Sequence, residues 1–184
     1  VELTILDDRG RLALPGGLDR TRVVFAGLGM ETEGIATAVP ADRTRLMEHI
    51  FAAYHAVVES HHVNALANPF NLGRFAAPLT PEELPRAWLR DLARLMADRD
   101  VMFELNATSW WWHPDLSVSD FLRQWVGVLR IFAVEDVRFI AGTNAHSPRA
   151  VGNNHFTRRL MRLTGIELSQ VVNLRGLARR RNRR

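Results

Sequence analysis

What most limits the folds open to this chain is a repeated alternation of two kinds of apolar pattern. Short apolar runs that end in glycine or a polar residue are followed by stretches with apolar residues at helical spacing. From Asp42 to Ser60, the positions Leu46, Met47, Ile50, Phe51, Tyr54, Val57 and Val58 form one such stripe. Leu84, Trp88, Leu92, Leu95 and Met96 form a second, and Val118, Phe121, Leu122, Trp125, Val128, Leu129 and Phe132 a third. The segments Val1–Leu6, Arg22–Leu28, Val63–Ala67, Val101–Leu105 and Val137–Ala141 read as strands. This alternation means parallel βαβ units, because parallel neighbours need a crossover long enough to hold a helix.

Local signals refine the pattern. Asp8-Arg9-Gly10 is a turn before Leu12–Leu14, so the first strand opens a hairpin closed off by Pro15-Gly16-Gly17. Thr80-Pro81-Glu82-Glu83 has the form of a capping box with proline at the first helical position, and Pro85 trims or bends that first turn. Ser147-Pro148 reads as the N-cap and first turn of a helix. A further helix is expected over about Asn154–Leu163 with Gly165 as its C-cap, then a last strand over Leu168–Val172. His49 and His55 are six apart, which is not the spacing of a metal pair on a helix, and they read as surface residues. His61-His62 suits the negative end of the helix dipole. Trp110-Trp111-Trp112 cannot all be core on one face, so some of these rings should cover a pocket or an interface.

Parallel units carry their sites at the carboxyl ends of the strands. Three such ends are polar here: Asn68, Glu104 with Asn106, and Asn144 with His146. Either they line a site, or they are a satisfied loop asparagine and a surface histidine.

Composition narrows the classes. At 184 residues, 47% hydrophobic and 24% charged, the chain can bury a real core and is not disordered. Without cysteine it has neither a disulfide framework nor a thiolate metal site, which suits a reducing cytoplasm. No apolar run approaches a membrane span. All 24 basic residues are arginines, six of them in Arg175–Arg184. The other 18 face 20 acids, a net of −2, so the high isoelectric point comes from the tail. That tail is either a nucleic-acid contact or a solvated terminus.

Taken in order, several short pieces resemble the PHP (polymerase and histidinol phosphatase) family from its third strand onward. They are Val1-Glu2, Ala26-Gly27-Leu28-Gly29, Leu66-Ala67-Asn68-Pro69-Phe70, Phe103-Glu104-Leu105-Asn106, and Gly142-Thr143-Asn144-Ala145-His146-Ser147-Pro148 followed by Val151-Gly152. The resemblance implies a partial or distorted (β/α)7 TIM-like barrel over residues 1–174, with 175–184 as an arginine-rich tail. In that family the barrel holds two or three divalent ions, usually zinc, manganese or iron, for phosphoester hydrolysis. It implies a bridging carboxylate at Glu2 and a terminal histidine ligand at His146, with Glu104, Asn68 and Asn144 at other ligand positions. Where the family has a histidine after Leu28, a histidine before Pro69 and an aspartate before Ala145, this chain has Gly29, Asn68 and Asn144. Glycine offers no ligand and asparagine only a neutral carbonyl, so a firmly held ion of the kind that acidifies water is not expected. Arg74, Asn106, Ser147 and Arg149 are, by position, candidates to grip a phosphate or other anion.

The expectation is therefore a degenerate PHP-like scaffold or ligand-binding module, with any divalent metal absent or at reduced stoichiometry. The alternatives are an active metal-dependent phosphoesterase completed by an N-terminal segment or another chain, and a nucleic-acid-associated protein using Arg175–Arg184. The family's opening H-x-H strand is not in this chain. A preceding segment or a second subunit is accordingly expected to close the barrel beside Val1–Leu6, which would otherwise have an open edge.

Overall fold

In a computed structural model that describes residues 1–14, 23–60 and 63–173, three of the expected βαβ units form, joining the second strand to the fifth. The strands are β1 (Glu2–Ile5), β2 (Phe25–Leu28), β3 (Ala65–Leu66), β4 (Met102–Asn106) and β5 (Phe139–Gly142). They make one sheet in the order of the chain, with all four neighbouring pairs parallel. The helices are α1 (Arg43–Glu59), α2 (Arg86–Asp98), α3 (Val118–Val134) and α4 (His155–Thr164). No helix among the described residues is long and apolar enough to cross a membrane.

Strict sequential order has a consequence for layering. Crossovers of one hand between adjacent strands put every helix on the same side of the sheet. The core follows this rule: Leu3, Ala26, Leu66, Phe103 and Phe139 join the buried residues of all four helices. The ring of Phe103 lies 4.7 Å from Phe132 and 6.0 Å from Phe139, at the centre of an aromatic cluster. The alternate strand residues face the other way. Ala65, Met102 and Ile140 are buried there with Phe25 and Val172 packed on them. Glu2, Thr4, Glu104 and Asn106 share the parity of that second face, where Glu2 pairs with Phe25 and Glu104 with Ile140.

The first strand is less open than its sequence suggests. Residues 11–13 return along its outer edge: Leu6 N–H donates to the Arg11 carbonyl at 2.7 Å and Ala13 N–H to Thr4 at 2.9 Å. An antiparallel bridge joins Ile5 and Leu12. The expected hairpin therefore exists only as this short pairing, which covers part of the edge of Val1–Leu6 that was expected to be open. Pro15-Gly16-Gly17, His61-His62 and the tail from Arg175 lie outside the described residues.

Three more expectations are corrected. The capping box at Thr80 closes a 3-10 turn over Pro81–Glu83, and α2 begins only after Pro85, whose ring cannot sit inside a helix. Ser147-Pro148 opens another isolated 3-10 turn, Pro148–Ala150, and α4 starts at His155. The last strand over Leu168–Val172 is replaced by a 3-10 turn at Leu168–Gln170 with one parallel bridge from Val171 to Phe139. Leu168 is 82% exposed, so it has no sheet face to enter.

Candidate functional site

The polar strand ends meet. Asn68 leaves β3 with φ +46° and Asn144 follows β5 with φ +45°. Asparagine is among the few non-glycine residues that hold this left-handed conformation at low cost, because its short amide bonds locally. The backbone thus gives a reason for asparagine at both positions that is independent of any ligand. The Asn106 side-chain N–H donates to Asn68 Oδ1, and Asn71 Nδ2 donates to the same oxygen at 3.3 Å. Asn106 Oδ1 accepts from Thr108 N–H at 2.7 Å and from Thr108 Oγ1 at 2.9 Å. Asn144 Nδ2 reaches Thr108 Oγ1 at 3.3 Å. One hydrogen-bonded chain therefore ties the ends of β3, β4 and β5.

Two carboxylates stand beside it. Glu104 Oε2 accepts from the Asn68 backbone N–H at 2.8 Å, and Asn68 Nδ2 reaches Glu2 Oε1 at 3.4 Å. Glu104 lies over Gly142 of the neighbouring strand, and a Cβ on that glycine would collide with Glu104 Oε1. Burial pushes the Glu104 carboxyl up to about 7; the Asn68 N–H opposes this and the Glu2 charge adds to it. Near neutral pH, Glu104 is thus a half-buried acid that can hold or release a proton.

Over these groups opens a cavity of about 260 Å3 lined by Glu2, Leu28, Tyr54, Asn68, Asn71, Leu72, Phe75, Trp112, Asn144 and His146. Of the residues expected from sequence, Glu2, Asn68, Asn144 and His146 line it, while Glu104 and Asn106 support its floor through Asn68. Arg74, Ser147 and Arg149 are absent from its lining. The Arg74 guanidinium carbon sits 3.6 Å over the Trp111 ring and Arg74 Nε donates to the Trp111 carbonyl at 2.9 Å. Ser147 and Arg149 are exposed on the turn after β5. One of the three tryptophans, Trp112, does cover the pocket, while Trp110 and Trp111 are 39% and 47% exposed.

Tyr54, Asn71, Leu72 and Phe75 escaped sequence reasoning. Tyr54 is the only tyrosine and sits in the buried stripe of α1, where its hydroxyl accepts from Phe70 N–H at 3.1 Å. A lone polar handle in an apolar stripe was the available signal, since buried tyrosine hydroxyls need a partner. Its bond helps hold Phe70 at φ +60°, an unfavourable backbone for an aromatic residue. Asn71 Oδ1 is buried and has no hydrogen-bond partner.

The donor set does not fit a binuclear metal centre. Asn68 Oδ1 and Asn106 Oδ1 already accept two hydrogen bonds each. Among the described residues no group of three or more His, Cys, Asp or Glu side chains converges closely enough to hold a metal ion. Glu2, Glu104 and His146 are the remaining strong donors, fewer than such a centre needs. Compared with known proteins, the sequence matches no family model and no curated protein.

Proposed function

We propose that this chain is a degenerate PHP-like domain whose cavity at the strand ends binds a small ligand without a working binuclear metal centre. The sequential parallel strands with helices on one side support reading it as part of a distorted (β/α)7 barrel. The observation that carries the functional reading is the amide chain. At Asn68, a position where the resemblance implies a metal ligand, the side-chain oxygen is taken by Asn106 and Asn71, and the amide chain continues through Asn106 and Thr108 to Asn144. A cation would have to break those bonds to gain neutral carbonyl donors.

The test is metal content and turnover together. Purified without added ions, the chain is expected to hold no binuclear complement by elemental analysis. Hydrolysis of p-nitrophenyl phosphate with added manganese should stay at background and be unchanged by His146→Ala. A firmly held pair of transition metals, or a manganese-dependent rate abolished by that substitution, would overturn the proposal.

One observation favours the second reading, a metal-dependent phosphoesterase completed by another segment or subunit. Glu2 and Glu104 lie close enough to raise the Glu104 carboxyl, and a cation bound between them would relieve that repulsion. The same elemental analysis decides between the two.

A further inference from the structure

From Val137 to Ile166 the sequence carries five arginines and two histidines but neither aspartate nor glutamate. The fold concentrates this charge. Each helical residue advances about 100°, so His155, Arg158, Arg159 and Arg162 of α4 fall within an arc of about 100°. All four are exposed, while Thr157, Leu160 and Thr164 on the opposite side are buried. Arg149 is exposed on the turn before the helix. Arg130 of α3 donates to the Leu163 carbonyl at 2.9 Å, which sets its guanidinium at the far end of α4.

Arg11, Arg43, Arg90, Arg94, Arg123 and, within this segment, Arg138 are paired with carboxylates. Among the described residues, Arg149, Arg158, Arg159 and Arg162 make no salt bridge. Like charges four apart on a helix, as Arg158 and Arg162 are, cost stability. An anion laid across them removes that cost.

We infer that this face of α4, with Arg149 and Arg130, binds the phosphate backbone of a nucleic acid. The charges are spread over about 10 Å of helix on a convex surface, which suits successive phosphates better than one small anion. A membrane surface is disfavoured because a helix lying on lipid needs a free apolar face. That face of α4 is already spent: Leu160 is fully buried and Phe156 stacks on Phe121 at 6.4 Å. Trp110, exposed beyond the carboxyl end of β4 as α4 lies beyond the carboxyl end of the parallel β5, offers a ring on which a base stacks.

The experiment is fluorescence anisotropy of a labelled single-stranded oligonucleotide and its duplex, titrated with the full chain across a salt series. The plot of log affinity against log salt should fall with a slope of about −3 to −4. Combining Arg158→Gln, Arg159→Gln and Arg162→Gln should flatten that slope by about 2 and weaken binding on the order of a hundredfold at about 50 mM salt. The same loss is expected in a chain whose tail arginines, from Arg175 to Arg184, are all glutamine, which separates this face from the tail. Should the triple variant unfold, Arg159→Gln alone carries the test through a slope change of about 0.7. Undiminished binding by a folded variant, no affinity of the unaltered chain at low salt, or binding to phosphatidylserine vesicles in place of oligonucleotide would each overturn the inference.

Discussion

Gly142 shows how a single missing atom shapes the site. Its neighbour Glu104 can lie against β5 only because no Cβ stands there. Gly142→Ala should therefore displace the Glu104 carboxyl and destabilise the fold by about 1–3 kcal/mol, the usual cost of overpacking. Urea denaturation of the two proteins measures it, and an unchanged midpoint would show that Glu104 is free to move. At this scale the sequence was partly legible. Asn68, Glu104, Asn106 and Asn144 could be read as strand-end residues, because polar groups that stop an apolar run stand out. Arg74 could not be placed, because its stacking on Trp111 depends on two loops meeting. Nor could the left-handed backbone at Asn68 and Asn144 be foreseen, although it gives asparagine a structural reason to be there.

The helices and strands were legible where the apolar period ran long. Asp42 caps α1 through Thr44 N–H at 2.8 Å, and Ser117 caps α3 through Asp120 N–H at 3.1 Å, both at the starts that the stripes indicate. The misreadings fall where proline or a short run left tertiary contacts to decide. Pro85 and Pro148 each bound a 3-10 turn that local signals alone render as helix. At Leu168 no sheet surface was waiting. The Gly165 C-cap was read correctly: it sits at φ +80° with its N–H on the Met161 carbonyl at 3.0 Å. Nothing crowds its missing Cβ, so the conformation alone sets the cost of replacement. Gly165→Ala should lower stability by about 1 kcal/mol, whereas Gly165→Asn should lose less. Equal losses for the two would point to something other than the left-handed cap.

Over the whole molecule, two desolvated groups with opposite preferences set how stability responds to pH. Glu104 is held neutral by burial, with its carboxyl at about 7. His113, 3% exposed with its ring tilted against Phe121 at 5.0 Å, is also held neutral, its imidazole pushed down to about 4 by burial against the hydrogen bond to Phe70. Glu104 has a folded value above its ordinary one of 4.5, so its contribution is complete below about 4.5 and is lost as pH rises through 7. His113 has a folded value below its ordinary 6.5, so its contribution is present above about 6.5 and is lost as pH falls toward 4. Between about 4.5 and 6.5 the unfolded chain carries a proton on the histidine and the folded chain carries one on the glutamate. The proton counts match, and the two slopes cancel. The sequence does not show this balance, because how deeply the fold sets each group among apolar neighbours depends on contacts between distant segments. The variants should expose it. Glu104→Gln leaves His113 alone, and stability should rise by about 3 kcal/mol from pH 4.5 to 6.5. His113→Asn leaves Glu104 alone, and stability should fall by a similar amount over the same interval. The unaltered chain should stay nearly flat there. The lowered carboxyls of Asp7, Glu83 and Asp120 act mainly at lower pH and leave this window undisturbed. Chemical denaturation at several pH values reads all three curves, and parallel curves for the two variants would refute the pairing.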